Sequence, residues 1–452
     1  MRWLAGLSGS LRVAVGMGCV LAAATGGAET LGADTLSADA LSADTLSADT
    51  PVAGALGGPG TADTTVVLAP DSLPHATFAP GADPIAAAWG QALSAPPKRH
   101  SPEDRPWGVL RPWLRTNTTP SRTVFEKFPG NPVLPLGSKG SLDAGHAEYP
   151  SVVHVGDLLW MFYSAFGVHH RWEIAAAVSP DGVRWTKLGV VFSPDTTAAA
   201  WDSTTIAFPS VIYSTEAPPA ERFCMWYAGK HGGRYEGIGL ATSPDGRHWR
   251  REGQVLALGE HGEWDGTEIA DPSVIAVPGG YRMYYCGSPD ANRLYRVGVA
   301  LSSDGRDWTK VSDNPVYAPE TGLYTVDVIS YDNGTPHDNG TPHDKGAPHD
   351  NEDSGFVLFV SSPNPHNEFE VHAVYSDDGL RFDNSARRLV LAPAGDNTWD
   401  HAVVYGMDVV PYGEQLYMWF NGLYTHVMTT RGGQVGLARS TYSKLGRLLD
   451  RP

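Results

Sequence analysis

The stretch DPSVIAVPGGYRMYYCGS (271–288), with its continuation VGVALSSDGRDWTKV (297–311), decides how this chain folds. It holds three short runs rich in β-branched and aromatic residues, separated by Pro-Gly-Gly at 278–280 and by Ser-Asp-Gly at 303–305. Runs of that length bounded by turn residues read as antiparallel strands joined by hairpins. In the second turn the aspartate can accept backbone N–H groups, and the glycine can take a positive φ. A fourth, more variable run follows the tryptophan.

The same unit recurs on both sides. Upstream it reads YPSVVHVGDLLWMFYSAFG (149–167) with EIAAAVSPDGVRWTKL (173–188), then FPSVIYSTEAPPAERFCMWYAGK (208–230) with GIGLATSPDGRHWRR (237–251). Downstream it reads GFVLFVSS (355–362) with VHAVYSDDGLRF (371–382), then MDVVPYGEQLYMWFNG (407–422) with VGLARS (435–440). A spacing of roughly 60 to 75 residues marks a repeat architecture. Four strands per unit predict a propeller blade, and no 3.6-residue periodicity of useful length competes. The expected fold is therefore all-β: a five-bladed β-propeller of four-stranded blades over residues 121–445. The turn residues Asp181, Asp245, Asp304 and Asp378 are expected to be structural, with Trp185, Trp249, Trp308 and Phe382 packing between blades. FEKFPGNPVLPL (125–136) resembles the post-turn run WTKVSDNPVYAP (308–319), yet it precedes the first full unit, while the fifth unit ends after its third run. An N-terminal strand completing the last blade is expected to close the ring and remove its open edge.

Composition agrees with this reading. Glycine (51), proline (35) and tryptophan (14) are plentiful and only 18% of residues are charged, which suits strands and turns better than long polar helices. A net charge of −17 argues against nucleic acid as a partner and leaves neutral oligosaccharides or polysaccharides compatible. Residues 1–28 read as a signal peptide: Arg2 and Arg12 flank the approach to VAVGMGCVLAAA, too short for a membrane span, and small residues surround Ala24 and Ala28. Gly18-Cys19 leaves a lipoprotein anchor at Cys19 as the alternative. The expectation is a secreted or periplasmic protein, monomeric and without a transmembrane segment. Residues 29–106, with TLSAD-like repeats and much proline and alanine, read as a disordered linker that cannot bury enough apolar surface to offset its ordering entropy. A second low-complexity segment, the loop insert at 333–353, carries NGTPHDNGTPHDKGAPHD. Cys224 and Cys286 lie in neighbouring units with no CxxC or histidine-rich context, so neither a zinc site nor any other cofactor is expected.

Candidate chemistry comes from the segments that lead into the first run of each unit. These read LDAGHAEYPSVV (142–153), WDSTTIAFPSVI (201–212), WDGTEIADPSVI (264–275), APETGLYTVDVI (318–329) and WDHAVVYGMDVV (399–410). Most columns are shared, so deviations are informative. Asp271 stands where another unit has phenylalanine, Glu148 where its neighbours have alanine, and Glu268 is alone in its column. Asp327 and Asp408 replace a serine. Acids that the repeat does not require, converging on one funnel, are candidates for acid/base work on a glycosidic bond. Such cleavage asks for one protonated and one ionised carboxyl. The pairs Trp201–Asp202, Trp264–Asp265 and Trp399–Asp400 offer stacking faces and hydroxyl acceptors, with a structural corner as the competing reading. His401 and Tyr405 complete the candidate sugar-binding set.

The units with PSV, MWY and SPDGxxW resemble the five-bladed propeller glycosidases, which include arabinanases, β-xylosidases, invertases, levansucrases and the related mannoside phosphorylases. The resemblance covers about residues 121–445. It implies a general base at the aspartate of D-P-S-V, here Asp271, an acid at the glutamate of E-x-P, here Glu148, and a further aspartate tuning the acid, for which Asp327 or Asp408 stands. A carbohydrate-binding propeller that has lost its acid pair is the competing function. A sialidase-like propeller is a third, for which Arg234, Arg293 and Arg296 are the available arginines.

Overall fold

The computed structural model describes residues 123–449, apart from 198–199, 291–294, 333–334, 337–354, 396–397, 413–414 and 426–431. The expected signal, Cys19 anchor and linker, Arg293 and nearly all of the loop insert lie outside the described residues.

The regular secondary structure of the described residues is nearly all β. β1 (Glu126–Lys127) comes first and alone. Four strands then form one antiparallel sheet in chain order: β2 (His146–Val155), β3 (Leu158–Phe166), β4 (Trp172–Ser179) and β5 (Thr186–Phe192). A second sheet repeats this with β6 (Thr205–Tyr213), β7 (Phe223–His231), β8 (Arg234–Ser243) and β9 (Arg250–Ala257). A third has β10 (Glu268–Val277), β11 (Gly280–Ser288), β12 (Arg296–Ser302) and β13 (Thr309–Lys310). The next set comprises β14 (Thr325–Asp332), β15 (Thr335–Pro336), β16 (Gly355–Pro363), β17 (Phe369–Ser376) and β18 (Arg388–Leu391). The last has β19 (Val403–Tyr412), β20 (Gln415–Leu423) and β21 (Gln434–Thr441), whose outer edge is taken by β1. One parallel pair, Phe369 with Val403, joins these two sets into a nine-stranded sheet. A single turn-length helix, α1 (Tyr442–Leu448), ends the described chain. Its seven residues are too few to show a helical period in the sequence.

The turn after each third strand takes the form its residues dictate. Asp181 Oδ1 accepts the N–H groups of Val183 and Arg184, Gly182 has φ 74°, and Trp185 Nε1 donates to the Gly182 carbonyl. A Cβ on Gly182 would also meet the Trp419 ring at 2.9 Å. Neighbouring sets lock here. Trp419 Nε1 donates to Gly182 O, Trp226 Nε1 to Gly305 O, and Tyr284 Oη to Gly379 O.

The inner strands are tied in a second way. Ser151 Oγ accepts Val211 N–H, Ser210 Oγ accepts Val274 N–H, and Ser273 Oγ accepts Val328 N–H. Asp327 Oδ2 then accepts Val409 N–H, and Asp408 Oδ2 accepts Val152 N–H. Each first strand thus hands one hydrogen bond to the next, and the fifth returns to the first. Each is worth about 1 kcal/mol net, but an unmade one would strand a buried N–H.

Candidate functional site

The first strands of four sets carry a bulge two residues long, at Glu148/Ser151, Ala207/Ser210, Ala270/Ser273 and Tyr405/Asp408. Inside it Tyr149, Phe208, Asp271 and Gly406 have φ of 54°, 57°, 53° and 50°. Three non-glycine residues in the left-handed region store roughly 1 kcal/mol or more each. The bulge re-aims the side chain toward the middle of the molecule. β14 pairs with β16 without any shift, which explains why 318–329 matches its sisters only at its end.

Asp271, Asp327 and Asp408 line a cavity of about 20 Å³ together with Tyr149, Phe208 and Gly406, room for about one water molecule. Asp271 is 8% exposed. Its Oδ2 accepts Val326 N–H at 2.6 Å and the Cys286 thiol at 3.8 Å. Burial pushes its carboxyl up to about 8 against the Val326 hydrogen bond, and the nearby Asp327 charge adds to the rise. Asp327 is also raised by burial, although Val409 N–H, Ser273 Oγ and Val328 N–H all favour its charged form. Asp408 is buried with Val152 N–H on Oδ2. Two of the three cavity acids thus serve the circle of inner hydrogen bonds where sister units use serine.

Glu148 and Glu268 stand elsewhere on the inner strands. Glu148 is fully buried; its Oε1 pairs with His146 Nδ1 at 2.7 Å and accepts Gly433 N–H at 3.0 Å. Its Oε2 has no hydrogen bond among the described residues. The Tyr405 hydroxyl lies beside it, outside good hydrogen-bond geometry, and burial followed by the Glu148 charge holds that phenol well above its ordinary range. Glu268, also buried, accepts Tyr235 N–H. The Tyr149 ring connects these groups: it packs 4.3 Å from Phe208 and 5.6 Å from Tyr405, and its phenol is raised by burial, then by Tyr405, Glu148, Tyr235 and Asp271. Glu148 and Asp271 are therefore both brought near the Tyr149 phenol.

The tryptophan–aspartate pairs are taken up by the fold. Asp202 Oδ2 accepts Tyr227 Oη and Arg251 Nε, and Asp265 Oδ2 accepts Tyr285 Oη and Lys310 Nζ. Asp400 pairs with Lys127 of β1, as Asp143 pairs with Lys187 of β5 and with Tyr163. Trp264 lies against Gly287 and Gly298 so closely that a Cβ on either would meet it within 2.5 Å. Trp201 and Trp399 lie on the matching glycines of their sets. None of these residues lines the cavity. His401 sits 5.5 Å from the Tyr424 ring.

His146, Tyr149, Phe208, Tyr235 and Cys286 were not singled out as site residues from sequence. One signal was available. Gly406 in the column of Tyr149, Phe208 and Asp271 marks a position whose backbone is left-handed, and hence an inward-aimed side chain.

No family model matches the sequence. Two uncharacterised proteins of Mycobacterium tuberculosis are each 27% identical over 218 residues, 45% of this chain and 68% of theirs. Among solved structures, a glycoside hydrolase from Bacteroides ovatus matches with TM-score 0.51 at 16% identity, covering 70% of this chain and 96% of that one. One from Parabacteroides distasonis gives the same figures. A protein from the GH130 family of mannoside phosphorylases, which contains glycoside hydrolases that target β-1,2 mannosidic linkages in Candida mannan, matches at TM-score 0.50 and 16% identity over 70% of this chain and 93% of that one. At such identity the likeness is one of architecture. In fold, this chain is similar to these glycoside hydrolase structures.

Proposed function

We propose that this chain is an exported, monomeric carbohydrate-active enzyme, a glycosidase or a related glycosyl-transferring enzyme, built as a five-bladed β-propeller closed by β1. The ring is supported by the cyclic order of the inner hydrogen bonds. Closure is supported by Lys127, which pairs with Asp400 as the fourth-strand cations Lys187, Arg251 and Lys310 pair with theirs. Export rests on residues 1–28, with a lipid at Cys19 as its variant.

The observation that carries the enzyme reading is Asp271. It occupies a strained inward position where sister units place tyrosine, phenylalanine or glycine, and burial keeps its carboxyl protonated at neutral pH. A departing sugar alkoxide needs a proton, and a carboxylic acid held neutral near pH 7 supplies it. That assigns Asp271 the acid's role, where family resemblance alone implies the base. The substrate is an oligosaccharide or polysaccharide; mannosides are the first to try, given the fold neighbours. Asp327 and Asp408 tune Asp271 by sharing its cavity.

A second reading, a carbohydrate-binding propeller without catalysis, is favoured by the complete burial of Glu148 and by the Tyr149 and Phe208 rings packed across the axis. Turnover of mannosides, arabinosides and xylosides by the wild type and by Asp271→Asn decides between them. Activity lost in the variant with sugar binding retained supports the enzyme. Binding without turnover in the wild type supports the second reading.

A further inference from the structure

We infer that His146, held from behind by Glu148, is the group through which the first blade meets a saccharide, with Phe166 and Trp172 as its walls. This rests on the glycosidase reading and deepens it: Glu148 becomes a positioning residue, and His146 the proton acceptor.

Glu148 is fully buried and its Oε1 is taken up by His146 and Gly433. His146 is the more open of the two: its side chain is 14% exposed and sits at the start of β2. Its Nδ1 is committed to Glu148 Oε1 at 2.7 Å, and Nε2 has no hydrogen bond among the described residues. The imidazole lies 5.1 Å from the Trp172 ring and 5.9 Å from Phe166, both only partly buried. An imidazole between aromatic faces, with one nitrogen free, suits a ligand that has both C–H faces and hydroxyl groups.

The carboxylate fixes the tautomer. Glu148 accepts at 2.7 Å and also takes the Gly433 N–H at 3.0 Å, closer than that N–H stands to Nδ1 at 3.4 Å, so the proton of the neutral ring resides on Nδ1 and the lone pair on Nε2. Burial lowers the basicity of His146, but the Glu148 charge and hydrogen bond outweigh it and raise the pKa above the ordinary 6.5. Among the described residues, the other groups packed around it carry no competing charge at neutral pH. Tyr405 and Tyr149 are phenols held neutral, Gly433 presents a backbone N–H, and Phe166 and Trp172 are neutral. Glu173, the nearest acid on β4, is paired with Arg171, His169 and Ser193.

In hydrolysis the Asp271 carboxyl proton passes to the glycosidic oxygen as its bond to the anomeric carbon breaks. A water oxygen bonds to that carbon, and the proton it sheds goes to the Nε2 lone pair. The imidazolium returns that proton to solvent, and Asp271 takes one back.

The test uses the full chain with mannobiose, arabinobiose and xylobiose as probes. His146→Ala is expected to lower kcat by about 10² to 10³-fold, to change KM little, and to be partly rescued by added imidazole. Glu148→Gln should shift the acidic limb of the kcat/KM profile to lower pH. NMR of the histidine ring should show His146 titrating above 6.5 in the wild type and lower in Glu148→Gln, with Nε2 perturbed by the bound sugar. Full activity in His146→Ala, or a loss that appears only in KM and ignores imidazole, overturns the inference. Should Asp271→Asn be inactive while His146→Ala works normally, the glycosidase reading stands and this inference falls. Should the wild type turn over nothing while the sugar still perturbs Nε2, the contact stands and the enzyme reading falls.

Discussion

Aspartates in this chain live in two settings, the corners before the first strands and the small cavity those strands line, and the two differ in what each carboxyl meets. At the corners Asp143, Asp202, Asp265 and Asp400 are each paired with a lysine or arginine, so burial costs them little. In the cavity Asp271 and Asp327 are held by backbone N–H groups, a serine and a thiol, with no cation paired to them among the described residues. Burial without a counter-charge is answered by protonation. The same residue type is therefore ion-paired in one place and pushed toward its neutral form by burial in the other.

The largest expected effect breaks the comparison on its chemical side. Asp271→Asn should reduce turnover by about 10³-fold, close to 4 kcal/mol on the barrier, without loss of thermal stability at pH 8. A variant melting well below wild type would mean that the carboxyl serves the fold. Next comes the corner. Asp265→Ala strands Lys310 beside Tyr285 and should cost about 3 kcal/mol in urea unfolding. A cost below about 0.5 kcal/mol would show the corner to be a surface pair. Lys127→Met tests closure in the same way and should cost about 2 kcal/mol.

The pH dependence sharpens the contrast. Asp271 has a folded-state pKa of about 8 against an ordinary 3.8, so its contribution to stability is complete below the lower value and is lost as pH rises through the upper. Wild type should therefore lose stability relative to Asp271→Asn between about pH 4 and 8, by at most ~1.4 kcal/mol per pH unit, and run parallel to it above. Parallel curves throughout would remove the neutral-acid argument. The smallest effect is expected from Asp327→Ser. It restores the acceptor that three sister units use for the same N–H, so neutral-pH stability should move by under about 1 kcal/mol.

Much of the fold was legible because it is local. Ser302, Asp304, Gly305 and Trp308 make a turn within seven residues, and the bonds that shape it are closed by its own neighbours, with Trp226 docking on the finished turn. Apolar runs between such turns define strands whatever surrounds them. The resemblance of FEKF to WTKV was also readable, and β1 pairs with β21. The site was legible only as a list of deviating acids. Asp327 and Asp408 deviate from serine in the alignment yet perform serine's duty, since a carboxylate oxygen accepts an N–H as a hydroxyl does. His146 shares its column with Thr205, Glu268 and Val403, and there the acid Glu268 drew the notice instead.

By itself the sequence determined the repeating unit and its turns, since those follow from strand propensity and turn chemistry over a dozen residues at a time. The tertiary structure alone decided what each carboxyl faces. A carboxyl's state depends on what is opposite it, and opposite Asp271 and Glu148 stand Val326 and Gly433, contributed by chain 55 and 285 residues away.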